Sequence, residues 1–542
     1  MGELTGWSKD LRVTADADDV VSMVGVVGLR MLADRSGLTA GLSAALIKSG
    51  FYPVHDRGRV LVDVACSIAA GGVDLYDIEA LRAQSQVFGP VASDTTALRA
   101  LGEIGDIDLY RIDARRAAAR AHLWNQLPDG VPQSCYAGGI SMGATIVLRV
   151  DGTITLAHSG KEHAEGTFKK TFGFHSLGAW IDNTRELAAL MPRPGGAGSN
   201  TAKDLIDVLR AAISQVPADR RDDLLITSDG AGASHALIGW LDSLGRVAGR
   251  RVQYSVGFDV DEHVRAAANR RRDDWWLPCL SNTTGELVDV LECTEITDLL
   301  KARLRDLDWP ATMRVIVRRR ELFDYEQPTL FDTNGYRYSC FVTNTPATGP
   351  HGLGVQYADA RHRVHARVED DVRTTQDTGL AHLPSKSWTV NKAWCAAVCI
   401  AVDLTAWFRL YALTGALAKA EPKTLRYRLL HPGPAGPRPP LPVATPTPHL
   451  ALGQPVGHRD RHHPPHADAR HLNHDPPPRR PGDPRRPRTA GATAGHFPHP
   501  IPTNIHYRRC PPVGQHPQDQ PREESGLMFD AIAQDSTAVS RS

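Results

Sequence analysis

Hydrophobic positions between residues 16 and 125 recur at the three- and four-residue spacing of amphipathic helices. The stretch VVSMVGVVGLRMLADRSGL (20–38) follows this spacing, and VLVDVACSIAAGG (60–72) ends in two glycines that stop a helix. Ser93 and Asp94 precede TTALRALGEIG, which predicts a helix with a capped N-terminus. Residues 1–140 are therefore predicted to form a helical region. This region is either a helix-turn-helix-type DNA-binding domain or a docking or dimerisation domain. Both possibilities stay open, because the sequence does not identify a DNA-recognition helix.

The pattern changes after residue 140 to short runs rich in β-branched residues. ATIVLRVD (144–151) and TITL (153–156) predict two strands separated by a turn at Asp151 and Gly152, and a third strand is predicted within 187–192. Ser199 and Asn200 then predict the cap of a helix whose apolar positions are Leu205, Val208, Leu209 and Ile213.

Strands and helices alternate over the rest of this segment. LLITS (224–228) and VQYSVGF (252–258) predict strands, and SHALIGWLDSLG (234–245) predicts the helix between them. The predicted order, β-β-β-α-β-α-β, is typical of a ribonuclease H-like α/β sheet rather than of a Rossmann repeat. Residues 141–260 are taken as the first part of that core.

The segment 261–355 predicts a β-rich insertion. Its strands are MRVIVRR (313–319) and YRYSCFVTN (336–344), and Asn334-Gly335 gives a turn signal. Helical sequence resumes at Ala358, so 356–430 is predicted to supply the C-terminal helices of the core. The apolar helix over 391–413 is interpreted as a packing helix and not a membrane anchor, because Asp403 and Arg409 interrupt it.

Composition narrows the class of protein. Lys and Arg number 62 against 61 Asp and Glu, so any nucleic-acid binding must use local basic surfaces. The eight cysteines include no CxxC pair, which argues against a zinc ribbon, and the polar, acidic N-terminus does not resemble a signal peptide. These features predict a reducing, cytoplasmic location.

Residues 431–542 differ sharply from the rest. They hold 24 of the 38 prolines and 12 of the 23 histidines, with no Lys and no Trp. This composition predicts disorder, because it cannot bury enough apolar surface to offset chain entropy. The tail is interpreted either as a basic arm that contacts DNA or as the product of a shifted reading frame in GC-rich DNA.

Three carboxylates stand out by their position. Asp151 closes the first predicted strand, Asp229 closes the fourth, and Glu369 lies on a helix beyond the insertion. The first and fourth strands of a ribonuclease H-like sheet are neighbours, and a helix across that edge can bring Glu369 to the same point. Such a cluster would require divalent cations to offset its repulsion, and oxygen ligands select Mg²⁺ or Mn²⁺. Two ions could then activate a nucleophile on a phosphodiester. The alternative is that each Asp is only a turn or cap residue.

Other candidate sites are weaker. His365 and Glu369 have the i, i+4 spacing of a zinc site, but no third ligand pattern accompanies them. The glycines of DGAGAS and PGGAGSN match neither nucleotide-binding fingerprint. Lys161, Lys169 and Lys170 either contact DNA or keep their loop soluble.

Ten segments resemble DDE transposases of bacterial insertion sequences, specifically the insertion-sequence-1380 group. They cover most of 25–431 and read LADRSGLTAGLSAAL, FYPVHDRGRVLVDVA, VLRVDGTITLAHSGKE, FKKTFGFHSLGAWIDNT, MPRPGGAGSNTA, DGAGASHALIGWL, MRVIVRR, ARHRVHARVEDDVR, NKAWCAAVCIAVDL and EPKTLRYRLLH.

The resemblance implies a cut-and-paste transposase that acts on terminal inverted repeats and target DNA, usually as a homodimer and without a membrane. It implies that Asp151, Asp229 and Glu369 form the DDE triad and bind two Mg²⁺ or Mn²⁺ ions. Members of the group commonly carry Lys where this chain has Gln376, a position expected to contact DNA. The resemblance also ends at 431.

The helix beside Glu369 is rich in arginine. These side chains are expected to hold DNA phosphates near the metal site, and the alternative is a solvated charged face. The residues are Arg361, Arg363, Arg367 and Arg373. Two other functions stay open, a ribonuclease H-like nuclease without strand transfer and an inactive, DNA-binding remnant that represses its element.

Overall fold

The computed structural model of the protein describes residues 23, 25–197, 201–323, 326–327 and 332–431. The predictions for Ser199, for Asn200 and for the tail after His431 lie outside these residues.

The N-terminal region is helical, as its spacing predicts. Ser93 caps its helix by accepting a hydrogen bond from the Thr96 amide (3.3 Å). Gly71, the first glycine of the predicted stop, adopts a positive φ (106°). The helices here are α1 (Val26–Arg35), α2 (Leu38–Ala45), α3 (Arg57–Ala69), α4 (Glu79–Arg82), α5 (Ser85–Phe88), α6 (Asp94–Gly102) and α7 (Asp106–Trp124).

A large mixed sheet follows, together with a separate pair of two-residue strands, β1 (Cys135–Tyr136) and β2 (Ile140–Ser141). The ten strands of the large sheet are β3 (Ile146–Leu156), β4 (Glu165–Gly166), β5 (Phe172–Ile181), β6 (Glu186–Met191), β7 (Asp223–Ser228), β8 (Arg251–Phe258), β9 (Leu277–Leu280), β10 (Leu287–Glu295), β11 (Arg314–Glu321) and β12 (Tyr336–Thr343).

The remaining described α-helices follow β2 along the chain. They are α8 (Ala202–Gln215), α9 (His235–Gly245), α10 (Glu262–Arg270), α11 (Thr297–Asp306), α12 (Val355–Arg363), α13 (Val368–Thr375), α14 (Trp388–Ala412), α15 (Gly415–Ala418) and α16 (Pro422–Leu425). Thr201 caps α8, and its hydroxyl accepts from the Asp204 amide (3.1 Å).

The strand order is β5-β3-β7-β8 at the centre, with both β4 and β6 paired to β5. β3 pairs with β5 antiparallel and with β7 parallel, and β7 pairs with β8 parallel. The order of major elements from β3 to β8 is three strands, helix, strand, helix, strand, which is the predicted order.

The predicted third strand is confirmed as β6, but the first two strands are not the ones predicted. β3 is one eleven-residue strand that continues through Asp151 and Gly152 in unbroken register with β5, so the predicted turn there is wrong. β5 was not predicted, because FGFHSLGAWI shows no β-branched or alternating pattern. It is buried along nearly its whole length, and a side chain at Gly178 would clash with the Trp180 ring.

The strands of the predicted insertion extend this same sheet. β12 pairs antiparallel with β8, and β11, β10 and β9 follow outward. Asn334 and Gly335 both take positive φ (55° and 79°) in a turn closed by hydrogen bonds between Thr333 and Tyr336, as the turn signal predicts.

Helix α14 is a packing helix. It is long and apolar enough to span a membrane, the one such helix in the described chain, yet 78% of that apolar window is buried within the protein. Its Asp403 is fully buried and accepts from Arg116 Nε (3.0 Å), while its Oδ2 lies 2.9 Å from Arg120 Nη2. Arg120 also pairs with Glu186 of β6. This cluster therefore joins α7, α14 and the sheet edge.

Replacing Asp403 with Ala should destabilise the protein by roughly 3–5 kcal/mol, because two buried guanidinium groups would lose a shared carboxylate. Denaturant unfolding measures this change. The control is Asp113→Ala, which removes a half-exposed partner of the same Arg116 and should cost less than about 1 kcal/mol. An equal loss of unfolding free energy in the two variants would show that the buried ion pairs of Asp403 stabilise the protein no more than the half-exposed pair does.

Candidate active site

Asp151 of β3 lies beside Asp229, the residue that follows the neighbouring strand β7. In the parallel pair β3 and β7, Val150 lies opposite Ser228, and each Asp is the next residue of its chain. Both side chains are partly buried. Parallel pairing thus brings together two carboxylates that are far apart in sequence.

Glu369 lies in the first turn of α13, where its side chain is exposed. The C-terminal end of this helix is held on the sheet by hydrogen bonds. Trp180 Nε1 of β5 donates to Thr375 Oγ1 (3.0 Å), and Gln376 Nε2 donates to Thr153 Oγ1 of β3 (2.8 Å). These bonds fix α13 beside the strand that carries Asp151.

The pKa of Asp151 reports on this arrangement. Burial raises it to about 7, and the negative charges of Asp229 and Glu369 contribute in the same direction. The Gly152 amide, which donates to Asp151 Oδ1 (2.6 Å), and the Lys169 ammonium oppose the rise. Asp151 therefore interacts electrostatically with both other predicted triad residues.

The three carboxylates do not form one compact ligand set. Within the described residues, the one group of three candidate ligands with atoms all within 4.8 Å of one another is Cys279, Cys293 and Asp359. An oxygen-only donor set that includes an Asp151 carboxyl of raised pKa suits Mg²⁺ or Mn²⁺.

The group of Cys279, Cys293 and Asp359 contains two thiols, unlike the all-carboxylate triad. The raised pKa of the buried Cys279 thiol comes first from its hydrogen bond with Cys293, and then from burial. Asp359 Oδ2 accepts from Arg363 Nε (2.8 Å), and its Oδ1 lies 3.8 Å from Arg318 Nη1. Because arginines already neutralise this carboxylate, the group is better explained as core packing than as a metal site.

A glycine that the sequence analysis did not single out shapes the loop after Asp229. A Cβ at Gly257 of β8 would lie 2.5 Å from the Gly230 backbone nitrogen. Only glycine lets the loop pass this closely over the neighbouring strand. A lone glycine within a strand pattern signals such a close approach.

Two of the four predicted phosphate-binding arginines have internal roles. Arg361 is buried and donates to Gln253 Oε1 (2.8 Å) and Thr345 Oγ1 (2.5 Å). Arg363 is partly buried and bonded to Asp359 and to the Leu280 carbonyl. The structure does not support a direct DNA contact by Arg361, because its guanidinium is already bonded inside the protein.

The other predicted DNA contacts are more accessible. Arg373 is 60% exposed and pairs with the exposed Asp370 (2.9 Å), and Arg367 is 36% exposed. Gln376 is half-buried, and its amide also lies within 3.3 Å of the Ile154 carbonyl. In this arrangement the Gln376 amide is bonded to β3.

His365 does not share a site with Glu369. It is buried, and its Nδ1 lies 2.9 Å from Thr227 Oγ1. Burial lowers its pKa to about 3, and the nearby Arg149 charge adds to this shift. The i, i+4 spacing therefore does not produce a zinc site here.

Comparison with known proteins gives the family. A family model described as transposase DDE domain group 1 matches residues 5–434. The chain belongs to this transposase family. No curated protein matches the transposase. Six chains of known structure match it, including a piggyBac transposase synaptic complex with hairpin DNA, at 10% identity and a TM-score of 0.36. That alignment covers 77% of the transposase and 82% of the other chain.

Replacing Asp151 with Asn should stabilise the metal-free transposase at pH 8. The folded-state pKa of about 7 exceeds the ordinary 3.8, so ionising Asp151 costs folding free energy. That cost is absent below about pH 4, grows up to about pH 7 and is constant above it. Melting temperatures of both proteins in EDTA across this range measure the effect.

The control for this measurement is Asp370→Asn, which removes an exposed charge from the same helix as Glu369. It should show no comparable dependence on pH. A constant stability difference between Asp151→Asn and the native protein from pH 4 to 8 would contradict the raised pKa.

Replacing Gly257 with Ala should displace the Asp229 loop. We expect a stability loss of roughly 1–3 kcal/mol and weaker binding of Mn²⁺. Gly239→Ala is the matched control, because a Cβ on that exposed helical glycine meets no atom within 4 Å. Unchanged Mn²⁺ affinity in Gly257→Ala would show that the close approach does not position Asp229.

Proposed function

We propose that this chain is a transposase of the insertion-sequence-1380 group that cleaves and joins DNA strands at the ends of its element. The observation that carries the proposal is the parallel pairing of β3 with β7, which sets Asp151 beside Asp229 in a member of a DDE transposase family. The raised pKa of Asp151, to which Glu369 contributes, agrees with this arrangement. A ribonuclease H-like core, with strand order β6-β5-β3-β7-β8, is part of the proposal.

In this mechanism Asp151, Asp229 and Glu369 would hold two Mg²⁺ or Mn²⁺ ions. Bound there, the ions would acidify a water or 3′-hydroxyl and offset charge on the phosphate. Asp151 interacts with both Asp229 and Glu369. We therefore place its carboxylate between theirs in the proposed site. Glu369 is exposed, so DNA could approach the metal site from the side on which this carboxylate lies.

DNA binding is proposed to use the accessible cations around the triad. Arg373, Arg367 and Lys169 are the candidates, because each is at least partly exposed and phosphate contacts require only local charge. Lys169 already lowers the pKa of Asp151, so its ammonium lies near the carboxylates. Lys169 could supply the cation that the group commonly has at the position of Gln376. A cytoplasmic location, a homodimer on paired ends and the predicted domain boundaries belong to the same proposal.

Replacing Asp229 with Asn should abolish Mg²⁺-dependent cleavage of a labelled duplex carrying the DNA that flanks the coding sequence. DNA binding in a gel shift should persist, because the change removes one carboxylate and no cation. Asp370→Asn should cleave like the native protein. Full cleavage by Asp229→Asn would remove Asp229 from the mechanism.

The same substrates separate the alternatives. Joining of pre-cut ends to target DNA identifies a transposase, and cleavage without joining identifies a nuclease. A gel shift with no Mg²⁺-dependent nicking would identify a DNA-binding remnant.

A further inference from the structure

The turn 182–185, between β5 and β6, is fixed to the beginning of β3. Asn183 Oδ1 accepts from the Val147 amide (2.9 Å), and Asn183 Nδ2 donates to the Thr145 carbonyl (3.1 Å). The Asp182 amide donates to the Val147 carbonyl (2.9 Å). These bonds attach the turn to the strand that carries Asp151.

The buried Asp182 carboxylate lies between two arginines. Arg149 Nε donates to Oδ1 (2.9 Å), and Arg367 Nη1 lies 3.6 Å from Oδ2. Arg149 precedes Asp151 by two residues and shares its face of β3, since side chains alternate along a strand. Arg367 precedes Glu369 by two residues, immediately before α13. One carboxylate therefore links the segment of Asp151 to that of Glu369.

The other end of the turn contacts α13 beyond Glu369. Arg185 Nε lies 2.9 Å from Oδ1 of the buried Asp371, which follows Glu369 by two residues. Arg185 holds a positive φ of 62°, which is unfavourable for a residue with a side chain. Glu369 is thus bracketed by two ion pairs that begin on the same turn.

The charges of this network depend on one another. Burial alone would raise the pKa of Asp182, but Arg149, Arg367 and Arg185 hold it well below its usual range. Both Nη atoms of Arg149 are buried without a hydrogen-bond partner in the described residues. Loss of Asp182 would leave this guanidinium without its neutralising carboxylate.

We propose that Asp182 and Arg185 are positioning residues that set the place of Glu369 relative to Asp151. This inference rests on the proposed function, since it assigns these two residues to the support of the triad. Neither residue contacts substrate in this scheme. Their effect passes through Arg149, Arg367 and Asp371 to the two carboxylates.

The test uses Asp182→Asn in the full-length protein, with Mn²⁺ as the probe. Mn²⁺ binding without DNA, measured by electron paramagnetic resonance, should weaken about 10- to 100-fold, as when the support of a ligand is lost. The Mn²⁺ concentration for half-maximal cleavage should rise in proportion, and saturating Mn²⁺ should restore much of the rate. A native Mn²⁺ requirement in Asp182→Asn overturns the proposal, whatever its maximal rate.

Arg185 keeps the proposal falsifiable if Asp182→Asn does not fold. Its side chain is 37% exposed, so Arg185→Ala is expected to fold. Arg185→Ala should weaken Mn²⁺ binding, and Arg185→Lys should recover part of it. A native Mn²⁺ affinity in Arg185→Ala would likewise overturn the inference.

A matched control removes an equally buried carboxylate elsewhere. Asp242 on α9 pairs with Arg246 (2.6 Å), and Asp242→Asn should leave the Mn²⁺ requirement unchanged. A native protein that binds no Mn²⁺, or an Asp229→Asn variant that cleaves normally, defeats the proposed function. Native behaviour of Asp182→Asn alone defeats only the positioning role.

Discussion

Parallel pairing of β3 with β7 is the contact on which the candidate site depends. Backbone hydrogen bonds between the two strands set Asp151 beside Asp229. These bonds form between main-chain groups, so they hold the strands together despite the repulsion between the two carboxylates. Burial, together with that repulsion, raises the pKa of Asp151 to about 7. The fold therefore imposes a local cost, and a bound divalent cation would relieve it.

Much of this arrangement could be predicted from the sequence, because its elements carry strong local signals. The helix caps, the strand before Asp229 and the Asn334-Gly335 turn each follow from side chains acting on their own backbone. The adjacency of Asp151 and Asp229 required only the order of the elements. The family model over residues 5–434 supports the interpretation of the chain as a transposase.

The remainder depended on contacts that local patterns do not encode. β5 is a central strand built from glycine, histidine and aromatic residues, and its stability comes from burial on both faces. Asp151-Gly152 has the composition of a turn, but pairing with β5 holds it extended. Arg361 has the composition of a phosphate ligand, yet helix α12 directs it inward to Gln253 and Thr345. In each case tertiary contacts overrode the local preference.

The continuity of the sheet from β5 to β9 has a mechanical consequence. β12 is joined to β8 by a backbone ladder, so the outer strands cannot swing like a hinged lid without breaking that ladder. β8 also carries Gly257, which touches the Asp229 loop. A force on the outer strands would therefore reach Asp151 and Asp229, at the carboxyl ends of β3 and β7, as a change in the twist of one continuous sheet.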